Sequence, residues 1–113
     1  MRPAYEVLDA LREAFDRHDV EAITALHAPD ATIRRTDGTT TDPAAMAATY
    51  KQWFADETDV RIDLRAAFGD DRIAMAEFAL AGALGHRPLT IVVETVAGLI
   101  TDERYYAPNP PPG

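Results

Sequence analysis

At 113 residues, 47% of them apolar, the chain has room for one domain and one core. Its 19 carboxylates outnumber 11 basic side chains, of which only Lys51 is a lysine, and the net charge of -8 argues against nucleic acid and anionic membrane surfaces as partners. With no cysteine there is no disulfide, thiol catalysis or thiolate metal site.

The start, Met1-Arg2-Pro3-Ala4-Tyr5-Glu6, lacks the apolar core of a secretion signal, and no apolar run approaches the roughly 20 residues of a bilayer span; a cytoplasmic location is expected. Val7, Leu8, Leu11, Ala14 and Phe15 then recur at helical spacing, with Pro3 suited to the first turn. Asp19 caps a second, short helix whose stripe is Val20, Ile23, Leu26 and His27, and Pro29-Asp30 ends it. Ala31 to Thr36 reads as a short strand, with Asp37-Gly38 as a turn.

Asp42-Pro43 opens a third helix as N-cap and first-turn proline, with Met46, Tyr50, Trp53 and Phe54 on its apolar face. From Val60 to Phe68 the apolar period falls to two, giving a half-buried strand that Gly69-Asp70-Asp71 turns into a hairpin. Two more strands follow, about Arg72 to Ala83 and Leu89 to Val96, with Gly85-His86-Arg87-Pro88 as the turn between them. Ala97-Gly98 leads into a last strand ending at Tyr106. Residues 4–107 thus read as a single domain with helices on one face of an antiparallel sheet, and residues 108–113 as a flexible Pro-rich tail.

Four stretches carry a family resemblance: His18-Asp19-Val20-Glu21-Ala22-Ile23, Leu26-His27-Ala28-Pro29-Asp30-Ala31-Thr32-Ile33, Asp42-Pro43-Ala44-Ala45-Met46, and Gly98-Leu99-Ile100 with Glu103-Arg104-Tyr105-Tyr106-Ala107-Pro108. In order and spacing they resemble the nuclear transport factor 2 superfamily, in its SnoaL-like and ketosteroid isomerase branches. The resemblance implies a cone-shaped α+β barrel, three N-terminal helices packed on a curved, mainly antiparallel sheet around an apolar pocket. It also implies a homodimer. A fold that hosts isomerases, cyclases, dehydratases and proteins without chemistry does not settle the function.

Matching the strands to ketosteroid isomerase around Gly85 points Met75, Glu77, Ala79 and Ala81 inward, then Val92, Glu94 and Val96, then Thr101, Glu103 and Tyr105, with Ile33 and Arg35 from the first strand. Phe78, Leu80, Ile91 and Val93 would then form an apolar outer face for the dimer. Glu94 matches the isomerase's protonated pocket aspartate, a hydrogen-bond donor to an oxyanion. It has two plainer readings, a partner of Arg35 or a solvated surface acid. The isomerase's general base matches Arg35 and its oxyanion tyrosine Leu11, so steroid isomerisation by that route is not expected; the Arg-x-Asp pair of limonene epoxide hydrolase is also missing, at Glu77 and Ala79.

The expected catalytic set is therefore Glu94, Glu77, Glu103 and Arg35, with Tyr105, His27, Met75, Tyr50 and Trp53 contacting the substrate. Carboxyls sharing one guanidinium titrate together and can serve as acid and base; a buried salt-bridge cluster is the alternative. His27 is a candidate satisfied core histidine, and the three histidines have no metal-ligand spacing. Neither a metal nor a cofactor is expected. Two functions stay open: a cofactor-independent acid–base enzyme (cyclase, isomerase or dehydratase) on a small apolar or polyketide-like molecule, or a non-catalytic module for a ligand or partner protein.

Overall fold

The stripe of Val7, Leu8, Leu11, Ala14 and Phe15 is the buried face of helix α1 (Ala4–Asp16). In the computed structural model, which describes residues 2–108, Pro3 is its N-cap, and the Ala4 N–H donates to the Asp71 carbonyl at 3.0 Å, tying the helix start to a distant hairpin. The Pro-rich tail beyond Pro108 lies outside the described residues. The helix ends in a Schellman motif: His18 takes a left-handed φ of 54°, its N–H donates to Phe15, and the Asp19 N–H donates to Ala14. The His18 ring lies flat on Phe54 at 4.2 Å, and its Nε2 donates to the Val60 carbonyl at 2.7 Å.

Asp19 then caps α2 (Val20–Ala25), accepting from the Ala22 N–H at 3.0 Å. The helix is shorter than its apolar stripe suggested. His27 is not on it but is the first residue of strand β1 (His27–Arg34), opposite Ile100, and Pro29 lies within that strand. After β2 (Thr40–Thr41), Asp42 caps α3 (Pro43–Asp56) by accepting from the Ala45 N–H at 2.8 Å. The remaining strands are β3 (Arg61–Gly69), β4 (Ile73–Gly82), β5 (Gly85–Val96) and β6 (Leu99–Tyr106). Residues 85–88, expected as a turn, begin β5, and the chain reverses at Ala83-Leu84.

The six strands form one sheet in the order β2-β1-β6-β5-β4-β3, antiparallel except for the β1–β6 pair. The helices pack on its concave face, and β2 and β3 are free edges, so the sheet is curved but not closed. The last strand of the chain is thus central in the sheet.

Strand parity departs from expectation. Phe78, Leu80, Ile91 and Val93 are interior core residues, so they form no outer dimer face. Met75, Glu77, Val92 and Glu94 occupy the opposite, outer face. The cause is a bulge. From the two-residue turn at Ala97-Gly98 (φ 55° and 78°), Val96 pairs with Leu99 and Thr95 with Ile100, but Glu94 then pairs with Asp102. Thr101 is skipped, its hydroxyl donating to the Glu94 carbonyl at 3.3 Å. Uninterrupted alternation would have paired Glu94 with Thr101 and put it on the face of Glu103; one extra residue reverses that relation.

Candidate functional site

Glu103 is the end of a buried chain of polar groups. Its register partners, Ile33 on β1 and Val93 on β5, share the inner face, and all three are buried. Its Oε1 lies 2.8 Å from His27 Nε2, both side chains having no accessible surface. The other imidazole nitrogen, Nδ1, is 2.8 Å from the Ile23 carbonyl, which can only accept, so Nδ1 carries a proton. A single further proton then lies between Nε2 and Oε1. The other carboxylate oxygen, Oε2, accepts from the Tyr105 hydroxyl at 2.7 Å. Tyr50, from α3, completes the row next to Tyr105.

Burial by itself lowers the His27 pKa, but the hydrogen bond and charge of Glu103, with the Ile23 carbonyl, outweigh it and the net shift is upward. Both tyrosines are shifted upward, first by burial and then by the Glu103 charge, so they remain neutral hydroxyls. A folded-state imidazole pKa above the ordinary 6.5 adds stability that is complete below 6.5 and is lost as pH rises through the folded value. The urea midpoint is therefore expected to be lower at pH 9 than at pH 6. In Glu103→Gln, where burial acts on His27 without a carboxylate, the trend should reverse; an unchanged pH trend in that variant counts against the ionic pair.

The row opens into an apolar cavity of about 260 Å³ between α3 and the concave sheet. Tyr50 and Tyr105 supply its polar end; Phe15, Met46, Trp53, Leu80 and Leu89 are among its apolar walls. Thr36, Thr41 and Thr49 also line it, with Arg35, an exposed side chain and the charged member of the lining. The Trp53 ring faces the cavity while its indole N–H donates to Glu57 at 2.8 Å. Glu57, almost fully buried, also accepts from Arg87 Nη2 at 2.7 and 2.9 Å, and Trp53 and Arg87 together hold its pKa down. That bracket fixes the end of α3. A methyl on Gly82 would sit 2.4 Å from Glu57 Oε2, so this glycine leaves space for the carboxylate.

Of the nine expected site residues, the structure gathers His27, Glu103, Tyr105, Tyr50, Trp53 and Arg35 at this cavity or directly behind it. It does not bring the others. Glu94 is exposed on the outer face, bound to Arg104, which also holds Asp102. Glu77 is exposed there, opposite Thr90, and Met75 is half-buried opposite Val92. Sequence reasoning missed Leu80 and Phe78 as cavity walls because of the parity slip. It also missed Glu57, whose only sequence signal is its place one turn after Trp53.

A family model described as the SnoaL-like domain matches residues 8–103. The chain belongs to that family. The SnoaL-like domain is also similar in fold to solved structures of low identity. IdmH from Streptomyces antibioticus, described as a candidate polyketide cyclase, superposes with a TM-score of 0.80 at 17% identity over 90% of this chain and 89% of its own. A Catenulispora acidiphila protein of ketosteroid isomerase-like fold, in complex with trimethylamine, gives 0.79 at 19% over 91% and 85%. A candidate polyketide cyclase from Xanthomonas campestris pv. campestris gives 0.75 at 24% over 91% and 88%. Identities this low establish the SnoaL-like, nuclear transport factor 2-like fold and nothing finer. No curated protein matches the sequence. Among the described residues, no helix is long and apolar enough to cross a membrane.

Proposed function

We propose that this SnoaL-like domain is a cofactor-independent acid–base enzyme acting on a small apolar molecule that bears a carbonyl group. The observation that carries the reading is the chain His27–Glu103–Tyr105 ending at an apolar cavity. A carbonyl oxygen set against Tyr50 accepts its O–H. The adjacent C–H bond breaks as its proton passes to the Tyr105 oxygen, while the Tyr105 proton moves to Glu103 Oε2. The electron pair shifts into the carbonyl, and Tyr50, with Arg35 at the cavity wall, stabilises the enolate oxygen. Because tyrosinate is disfavoured, the two transfers at Tyr105 occur together. Returning the proton to a different carbon is an isomerisation; attack of the enolate on a second carbonyl of the same molecule is a cyclisation.

The second reading is a binding module. It is favoured by Glu94 and Glu77 lying on the outer face, which leaves a single carboxylate, Glu103, behind the Tyr105 hydroxyl and none in the cavity lining. Exchange of α-protons in D2O separates the two, followed by NMR on a panel of enolisable aryl ketones. Catalysed exchange is expected, slower by roughly 10²–10⁴-fold in Glu103→Gln. Ketones that bind without exchanging would leave the binding module standing, and ketones that do not bind would remove both readings.

A further inference from the structure

A second cavity, of about 200 Å³, lies under α1 at the free edge of the sheet. Leu8, Leu11, Ala67, Ala76 and Ile91 line it, and Asp9 and Arg12, bonded to each other at 2.9 Å, stand at its rim. Two residues, Ile62 and Phe78, line both this cavity and the one beside the tyrosines. Protein interiors hold few voids larger than a water molecule, and a dry apolar cavity of roughly 150 Å³ is enough to admit benzene. Each of these two spaces exceeds that size. Around the second one, three large apolar side chains remain in water: Tyr5 at 50%, Leu64 at 44% and Phe68 at 57% exposure.

We infer that the two cavities are consecutive halves of one elongated ligand site, divided by the Phe78 and Ile62 side chains. The ligand's oxygen-bearing head sits beside Tyr50 and Tyr105, and an uncharged apolar tail passes Phe78 to lie beneath α1. The inference rests on the proposed function for the position of the head. It adds the substrate class: a carbonyl or phenol head extended by an alkyl or aryl arm, rather than one compact ring. The second half offers the tail no free charge, since the Asp9 carboxylate and Arg12 guanidinium at its rim are paired. An arm ending in a carboxylate or ammonium group is therefore excluded there.

A series of 4-alkylphenols from methyl to octyl, measured by calorimetry on the intact chain, tests this. Each added methylene is expected to tighten binding up to about fourfold, and the gain should persist beyond the shortest chains. Ala67→Phe fills the second cavity from an exposed position on the edge strand, where folding tolerates it. That variant should bind 4-methylphenol like the wild type yet lose most of the gain for 4-octylphenol. If 4-methylphenol binds and Tyr50→Phe weakens it, but affinity levels off with length or Ala67→Phe changes nothing, the elongated site is wrong and the proposed head position stands. If 4-methylphenol does not bind, or Tyr50→Phe leaves its affinity unchanged, both are overturned.

Discussion

Glu103→Ala is expected to lower the stability of the protein by about 3–5 kcal/mol, the cost of stranding one member of a buried ion pair. The His27 and Glu103 side chains have no accessible surface, so solvent cannot replace the lost partner, and the Tyr105 hydroxyl loses its acceptor as well. For a domain of this size that corresponds to a fall in Tm of roughly 10–20 °C. Glu103→Gln is the control. Its amide oxygen can accept from Tyr105 and its NH2 can donate to a neutral His27 Nε2, so only the charge-assisted part of each bond goes, about 1 kcal/mol. Thermal unfolding followed by circular dichroism gives both values. Equal losses in the two variants would mean that the side chain's bulk, not its bonding, holds this part of the core.

Phe15→Ala carries the other large effect, also about 3–5 kcal/mol. Phe15 sits edge-on to three rings of α3, with centroid separations of 5.9 Å to Tyr50, 5.3 Å to Trp53 and 5.1 Å to Phe54. It packs α1 against the helix that brings Tyr50 to the cavity. Since Phe15 also lines that cavity, the space left by truncation joins it and is poorly refilled. Urea unfolding should show the loss, and the near-ultraviolet signal of Trp53 should weaken in the native state. Val96→Ala, at a position 66% exposed, should fall within about 0.5 kcal/mol of wild type. A Phe15→Ala cost no larger than that of Val96→Ala would show that α3 is held by other contacts.

The helices were legible because their signals are local. Asp19 and Asp42 cap where sequence placed them, and the apolar stripe of α1 is its buried face. The hairpins of β3, β4 and β5 were legible from alternation and turn residues, although the β4–β5 turn lies earlier than Gly85 suggested. The facing of β4 and β5 was not. It depends on the bulge at Thr101, a residue of ordinary strand character with no glycine or proline to mark it. That single residue separates Glu103, sealed in the interior, from Glu94, which lies in solvent beside Arg104. Inward placement of Glu103, Tyr105 and Ile33, taken from the same match around Gly85, agrees with the structure. The partnership of His27 with Glu103 spans 76 positions and could not be read from either neighbourhood.

The position of β6 between β1 and β5 has a consequence for how the protein comes into being. During synthesis every other strand leaves the ribosome before the one that belongs in the middle, so two open strand edges must wait for it and the imidazole waits without its acid. A chain grown only as far as Gly98 possesses all three helices and the other five strands, yet neither Glu103 nor Tyr105. The proton-holding pair can therefore assemble only once β6 has been made.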